Sequence, residues 1–458
     1  MSDLIDTSLI FLLCNQQRQE DYLPHELQRL ILLALGVIQP ISVDELHLLP
    51  HISVEHCYQF DLPQYLPQRH MPCAKKCADQ GALKCLQLSF HRCLSIYPKK
   101  LYSIAANKGH LNILQWLLDN HYPKDSDAHA HAAENGHLHC SRWLLANDFP
   151  LSIFAYNRAA RNGHLHVLEW LYANNFPIVA GVYSAAASAG HIHILQWLIE
   201  KGFCRDTNCC NLAAKNNQAP CLRFLIDNEF IIHENVCIDA AQYGSVECLR
   251  VYLDTQVHRP SQSYIEAAKN GHIECLQLLL EYGVSRNDQA CTSAAANGHL
   301  HVLTWLLENG FGVEDEAHIQ ATICGSVDCL KLLFKYKSYR GEGAFIRAIQ
   351  SGNLKCLNVL ITNGAPKFER ALEFAARCGN ISIVRLLIAH KFPKSINACA
   401  EATLNGNVEM LQELIDHDFP QSVNACSYAA GCRYTHCLKL LVKNKFPNWE
   451  EYLSHIEE

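Results

Sequence analysis

The stretch Ala-Ala-Arg-Asn-Gly-His-Leu-His-Val-Leu-Glu-Trp-Leu, residues 159–171, returns along this 458-residue chain at a constant spacing. Counting from Gly109 in steps of 27 residues leads to the same local phrase each time, as far as position 433. Gly81 carries the phrase once more, 28 residues upstream. A fixed period of this length is the signature of stacked repeats. The sequence therefore predicts about 14 repeats over residues 77–447.

The first half of each repeat predicts a helix that packs closely against a neighbour. Ala stands four residues before the Gly position in thirteen of the fourteen repeats, and Cys77 stands there in the first. A small residue at one fixed helical position lets another backbone pass close by. The Gly ends this helix in a left-handed conformation without a Cβ penalty, and Asn217 takes its place in one repeat.

The second half of each repeat predicts an amphipathic helix. Leu occupies the fifth position after the Gly in twelve repeats and the eighth in twelve, which is the spacing of a buried helical face. The residue directly after the Gly is His in six repeats and Ser or Asn in five. Because Ser and Asn are strong N-caps, we expect this residue to cap the second helix. The predicted fold is all-α, an α-solenoid of helix-turn-helix repeats.

This order of helix, Gly turn, helix and second turn resembles ankyrin repeats. The likeness lies in Ala-Ala-x-x-Gly-His-Leu followed by Leu-Leu and Glu-Asn-Gly, seen whole at residues 294–310. Ankyrin repeats are about 33 residues long and open with Thr-Pro-Leu-His, whereas these repeats are six residues shorter and lack that motif. They resemble the shortened ankyrin repeats of large DNA viruses and protists. The resemblance implies a scaffold that binds a protein partner on the exposed side of the first helices and the short loops.

Composition narrows the partner and the compartment. A net charge of −7 without a Lys/Arg-rich run disfavours nucleic acid and acidic membranes as partners. No apolar run approaches the roughly 18 residues of a membrane span, and the N-terminus lacks the basic region of a secretory signal. The chain has 23 cysteines, and free thiols in this number are typical of a protein in the reducing cytoplasm. The alternative locations are the nucleus and, for a viral protein, the cytoplasm of the host cell. We expect eight of the cysteines to be small buried core residues, at the fourth position after the Gly: Cys85, Cys140, Cys221, Cys248, Cys275, Cys329, Cys356 and Cys437.

No catalytic, cofactor or metal site is predicted. The sequence lacks a phosphate-binding Gly-rich loop, His-Glu-x-x-His and Gly-x-Ser-x-Gly, so we expect no enzyme. Pairs such as His137/His139 are two residues apart on a helix and diverge, which favours a structural capping role over metal binding. The densest group of potential zinc ligands lacks paired Cys-x-x-Cys spacing, and two of its cysteines already fall on core positions of the first repeat: Cys73, Cys77, Cys85, His91 and Cys93.

Residues 1–76 lack the repeat, and residues 448–458 are predicted to form a C-terminal cap. Within the first segment, Leu-Pro-x-Glu-Leu-x-x-x-Ile-Leu at residues 23–32 resembles the opening of an F-box, which docks on the adaptor of cullin-type ubiquitin ligases. That resemblance implies adaptor-facing or core contacts by Leu23, Pro24, Leu27, Ile31 and Leu35. The alternative is an amphipathic helix that caps the first repeat, or a degenerate repeat. The chain is thus interpreted as an interaction scaffold or, alternatively, as a ligase substrate receptor.

Overall fold

The computed structural model describes residues 74–92, 100–255, 258–339 and 341–453. Within these ranges the regular structure consists of 28 α-helices and one 3-10 helix, without a strand. The chain divides into two compact units, Met1–Asp206 and Thr207–Glu458. These helices form fourteen pairs, as the repeat period predicts, and the all-α repeat fold is confirmed.

The first unit contains five helix pairs. In chain order its helices are α1 Ala74–Gln80, α2 Leu83–Arg92, α3 Leu101–Lys108, α4 Leu111–Asp119, α5 Ala128–Glu134, α6 Leu138–Ala146, α7 Ala155–Arg161, α8 Leu165–Ala173, α9 Val182–Ala189 and α10 Ile192–Glu200. The odd-numbered helix is the first helix of its repeat, and the even-numbered helix is the second.

The second unit contains nine pairs and the 3-10 helix Trp449–Tyr452. Its α-helices are α11 Cys209–Lys215, α12 Ala219–Asp227, α13 Asn235–Tyr243, α14 Val246–Asp254, α15 Gln262–Asn270, α16 Ile273–Glu281, α17 Gln289–Ala296, α18 Leu300–Glu308, α19 Asp315–Cys324, α20 Val327–Tyr336, α21 Gly343–Gln350, α22 Leu354–Thr362, α23 Ala371–Arg377, α24 Ile381–Ala389, α25 Ala398–Leu404, α26 Val408–Asp416, α27 Ala425–Gly431 and α28 Thr435–Lys443.

First helices form the tightest layer inside each unit. Each one packs against the first helices of neighbouring repeats and against the second helix of its own repeat. The Ala four residues before the turn lies in this contact; Ala132 of α5 and Ala159 of α7, for example, are fully buried. The predicted close approach of first helices is therefore confirmed, and a larger side chain here would force the repeats apart.

The eight core thiols are where the sequence places them. Each is exposed by 1 % or less, and none forms a disulfide. Burial raises the pKa of Cys140, Cys248 and Cys275 to about 12, because the thiolate is disfavoured in an apolar core. These cysteines act as small apolar residues.

The turn between the two helices depends on a left-handed residue. Gly163 has a φ of +80°, and the Gly position is left-handed in the other repeats as well. Two residues with side chains adopt the same conformation, Asn217 at +53° and Arg433 at +58°. The conformation therefore persists where a Cβ makes it roughly 1–2 kcal/mol less favourable.

The predicted capping of the second helices is right for Asn and wrong for His and Ser. The side chains of Asn353, Asn380 and Asn407 accept hydrogen bonds from backbone N–H groups three residues later, at 3.0, 3.2 and 2.9 Å. No side-chain cap forms at the six His or the two Ser of this position. The imidazole ring is turned away from its own helix, towards the preceding repeat.

Candidate protein-interaction surface

Exposed apolar side chains concentrate on one side of the repeats. Of the nineteen large apolar residues that are exposed in the described ranges, eleven lie on loops between repeats or on first helices. Six of the other eight lie on second helices, whose outward side also carries polar and charged residues such as Arg223, Glu247 and Lys331. The eleven are Leu151, Ile153, Phe154, Ile178, Ile231, Tyr243, Ile323, Ile396, Leu404, Val423 and Tyr428.

Four of these residues occupy two successive loops of the first unit and are called here the apolar loop patch. They are Leu151, Ile153, Phe154 and Ile178, exposed by 39, 45, 50 and 52 %. Between them Ser152 is buried, and its hydroxyl accepts a hydrogen bond from the backbone N–H of Phe154 at 3.4 Å. This local bond turns the serine inward and leaves its apolar neighbours in water.

Two loops of the second unit share this geometry but expose different side chains. Ser395 and Ser422 are buried, and their hydroxyls accept from Asn397 and Asn424 at 3.3 and 3.4 Å. The loop sequences are Lys-Ser-Ile-Asn at 394–397 and Gln-Ser-Val-Asn at 421–424, against Leu-Ser-Ile-Phe at 151–154. The same loop framework therefore presents different side chains from repeat to repeat.

Two arginines follow the apolar loop patch along α7. One turn after Phe154, Arg158 pairs with Glu134 and also approaches Nδ1 of His131 at 3.2 Å. Burial and the charge of Arg158 lower the pKa of His131. The neutral ring can then accept a hydrogen bond from the guanidinium of Arg158. Arg161, at the end of α7, is exposed and forms no ion pair with a described residue.

In the second unit the arginines beside exposed apolar residues are also paired with carboxylates. Arg377 forms an ion pair with Glu401 at 2.6 Å and another with Glu373 at 3.3 Å. Arg370 pairs with Glu373 at 3.0 Å. Ile396, Leu404, Val423 and Tyr428 thus lie near a surface whose charges already compensate each other.

The histidines of the turns link neighbouring repeats. Nε2 of His191 lies 3.1 Å from the backbone carbonyl of Arg161, and Nε2 of His193 lies 3.4 Å from that of Gly163. His139, His166, His299 and His301 make the same kind of contact 30 residues back along the chain. A carbonyl only accepts, so Nε2 donates and is unavailable to a metal. Both residues of the His-x-His pairs are therefore inter-repeat hydrogen-bond donors, which corrects the capping interpretation.

Several residues singled out by the sequence lie outside the described residues. These are Leu23, Pro24, Leu27, Ile31 and Leu35 of the F-box-like segment, and Cys73 and Cys93 of the potential zinc group. The other cysteines of that group, Cys77 and Cys85, are buried core residues. In the part of the chain that the structure describes, no three His, Cys, Asp or Glu side chains cluster as a metal would require. None of the helices in this part is long and apolar enough to cross a membrane.

Comparison with known proteins identifies the class of repeat. A family model described as ankyrin repeats (3 copies) matches residues 102–181, 237–317 and 293–371. The matched residues are thus similar to ankyrin repeats, a fold that generally serves as a protein-interaction scaffold.

Particular relatives are more distant. No curated protein matches the chain. Among solved structures, the human ASB11 ankyrin repeat domain is 21 % identical, with a TM-score of 0.35, and covers 40 % of this chain and 98 % of its own. The pentatricopeptide repeat protein PPR10 in complex with an 18-nt psaJ RNA element is 12 % identical, with a TM-score of 0.35, over 93 % of this chain and 78 % of its own. PPR10 from maize is 12 % identical, with a TM-score of 0.30, over 100 and 78 %. Likenesses of this degree transfer no ligand to the present chain.

Proposed function

We propose that this chain is a non-enzymatic scaffold that binds a protein partner on the loops and first helices of its repeats. The observation that carries the proposal is the apolar loop patch, four large apolar side chains exposed on two neighbouring loops. Aromatic residues such as Phe are enriched at protein interfaces relative to the rest of the surface. Burying one such side chain contributes about 1.5–3 kcal/mol.

Variation between repeats supports the same surface. Core positions hardly change, while the loop residues change from Lys-Asp-Ser-Asp at 124–127 to Leu-Ser-Ile-Phe at 151–154 and Ile-Val-Ala-Gly at 178–181. A regular framework whose loops differ suits selective recognition, because surface residues can change without disturbing the stack.

The chain itself offers the variant that tests this surface. The double substitution Leu151→Lys and Phe154→Asn converts loop 151–154 into the Lys-Ser-Ile-Asn of 394–397, which keeps the buried serine. A photo-crosslinking amino acid at position 153 should capture a reproducible set of proteins in cells, and the double variant should lose it. The matched control is Gln421→Lys, which also produces a Lys-Ser-x-Asn loop but at another repeat, and it should retain the set. Equal capture by the double variant would remove the patch as the binding surface.

A second candidate function is that of a substrate receptor for a cullin-type ubiquitin ligase. It is supported by Leu-Pro-x-Glu-Leu at residues 23–27, which resembles the start of an F-box. Changing Leu23, Pro24 and Leu27 to Ala should then abolish co-purification of the ligase adaptor while the partner on the repeats is still captured. If the unaltered protein never co-purifies with adaptor, the ligase function is wrong and the plain scaffold function stands.

We also propose a reducing compartment, the cytoplasm, as the site of action, supported by the many buried free thiols. The short 27-residue period supports kinship with the shortened ankyrin repeats of large DNA viruses and protists.

A further inference from the structure

Two buried histidines differ from those at the turns. His129 on α5 and His318 on α19 both lie seven residues before the Gly position, and both are 0 % exposed. Among the described residues, no hydrogen bond of normal geometry reaches any of their four ring nitrogens. Leaving a buried polar group unpaired costs roughly 1–3 kcal/mol. Both positions therefore combine a titratable ring with an environment that only its neutral form tolerates.

In three other repeats the residue at this position makes a hydrogen bond that His129 and His318 lack. Tyr102, Tyr183 and Tyr264 occupy the equivalent site, and each donates its hydroxyl to a backbone carbonyl 20 residues further along, at 3.4, 3.5 and 3.3 Å. The corresponding carbonyl for His129 is that of Phe149. An imidazole ring is shorter than a phenol and leaves this bond incomplete.

His129 lies beneath the apolar loop patch. Its ring packs edge-to-face on Phe176, with ring centroids 4.9 Å apart. Phe149 and Phe176 are the buried residues that begin the loops carrying Leu151 to Phe154 and Ile178. The ring of Phe149 packs on Tyr102 and Trp143, and His129 faces this loop through the backbone carbonyl of Phe149. His129 thus contacts the second loop through a ring and the first loop through its backbone.

No neighbouring charge stabilises a proton on His129. Burial lowers its pKa from 6.5 to about 4, opposed by the backbone carbonyl of Phe149. Burial also raises the pKa of titratable groups on the helices packed against α5, which keeps them neutral: Tyr102 on α3, Cys140 on α6 and Tyr156 on α7. Four charged side chains affect the pKa of the neighbouring His131, and none of them is a cause of the shift at His129: Asp125, Asp127, Glu134 and Arg158.

We propose that His129 is a proton-operated latch for the apolar loop patch. In its neutral form the ring fills the core beneath Phe149 and Phe176 and holds both loops closed. Once protonated, it cannot remain unpaired in the core, so it leaves for water and both loops open. Loop opening requires no partner, whereas its effect on binding rests on the proposed function.

The second unit contains the same arrangement at His318. Its ring stacks on Tyr339, with centroids 5.0 Å apart, and meets Phe334 edge-to-face at 5.0 Å. Burial again lowers its pKa to about 4, and the charge of Lys337 lowers it further. The backbone carbonyl of Lys337 and the carboxylate of Asp315 oppose this shift. This histidine is the built-in comparison for a test on His129.

The effect of pH on loop opening follows from the thermodynamic linkage between proton binding and the equilibrium of closed and open loops. The closed state binds the proton less well than the open state, so the closed state is fully favoured above pH 6.5 and loses ground as the pH falls towards 4. With an ordinary pKa near 6.5 in the open state, going from pH 8 to pH 5 raises the ratio of open to closed loops about 30-fold.

Hydrogen–deuterium exchange read by mass spectrometry measures this opening. The amides of Phe149 and Phe176 donate to the carbonyls of Leu144 and Leu171, so fragments that contain them report on closure of both loops. After correction for intrinsic exchange, we expect their protection to fall about 30-fold between pH 8 and pH 5 in the unaltered protein. His129→Tyr, which installs the residue of the equivalent site, should abolish the fall, and His318→Tyr should leave it intact.

A second variant covers the case in which tyrosine overpacks the site. His129→Leu installs the residue found at the equivalent Leu372 and should also remove the pH response. An equal fall in the His129 variants and the unaltered protein, or no fall at all, would overturn the latch. Because this measurement uses the protein alone, a failed search for a partner would leave its outcome unchanged.

Discussion

Replacing Gly163 by Ala tests how the turns hold neighbouring repeats together. Gly163 has a φ of +80°, and a Cβ there would lie 2.8 Å from Cε1 of His191 in the next repeat. That ring also bonds the carbonyl of Arg161. Ala should therefore act twice, by straining its own backbone and by displacing the neighbouring ring from its acceptor.

The two contributions can be estimated separately. A left-handed Ala costs roughly 1–2 kcal/mol, of which about 0.4–1 kcal/mol is offset because Ala also restricts the unfolded chain. Loss of the His191 hydrogen bond adds about 0.5–1.5 kcal/mol. The expected destabilisation is about 2 kcal/mol for Gly163→Ala. Gly379→Ala should cost only about 1 kcal/mol, since the φ of Gly379 is +71° and the nearest atom to its Cβ would be Nδ2 of Asn407 at 3.9 Å.

Urea unfolding followed by circular dichroism at pH 7.5 provides the free energies. A double-mutant cycle that combines Gly163→Ala with His191→Asn should return a coupling energy of about 1 kcal/mol. Asn is the residue that faces Gly379, the glycine of the control variant. Equal destabilisation by the two Gly substitutions, or a coupling energy near zero, would show that the His–Gly contact does not tie the repeats together.

The other predictions concern thiols and one buried carboxylate. A thiol reagent applied to the native protein should modify the exposed Cys204, Cys324 and Cys432 and spare Cys248 and Cys275, because the thiolate is the reactive form and burial raises the pKa of both core thiols to about 12. Cys248→Val should change the free energy of unfolding by less than about 1.5 kcal/mol, whereas Cys248→Asp buries an unpaired charge and should prevent stable folding; rapid labelling of Cys248 would disprove its core position. Glu373→Gln should destabilise the protein by about 1 kcal/mol through the loss of its pairs with the half-exposed Arg370 and Arg377, while Glu409→Gln, at an exposed pair 3.8 Å from Arg385, should have no effect. Burial raises the pKa of Glu373, but Arg370 and Arg377 outweigh it and hold the pKa below 4.5, so this stabilisation is present above pH 4.5 and should disappear in acid unfolding curves below that value.

The fold was predictable because the repeat encodes contacts between neighbours. Ala132, Leu144 and Cys140 recur at fixed positions, and each recurring position is buried against the equivalent surface of the adjacent repeat. Periodicity therefore indicated the helix pairs, their small-residue interface and the core thiols without any coordinates.

The roles of individual side chains were harder to predict. His191 donates to the carbonyl of Arg161 and does not cap its own helix, because the turn of the preceding repeat lies within reach of its ring. Ser or Asn at the same position of other repeats had suggested capping instead. Exposure of Leu151 and Phe154 depends on the inward turn of Ser152. The sequence did carry a signal for His129, since the aligned repeats other than that of His318 place Tyr, Cys, Phe, Leu or Ala at that position. The F-box-like residues stay a prediction.

The bonds between repeats have a consequence for how such a chain can evolve. Turn histidines reach 30 residues back, and Ser103 and Ser184 reach 22 residues forward to Asp125 and Asp206, at 2.6 Å between Oγ and Oδ1 in both cases. The histidine bonds end on backbone carbonyls of the preceding repeat, and any repeat supplies such a carbonyl. Recombination within the gene can then lengthen or shorten the array by whole repeats while each turn histidine still finds an acceptor.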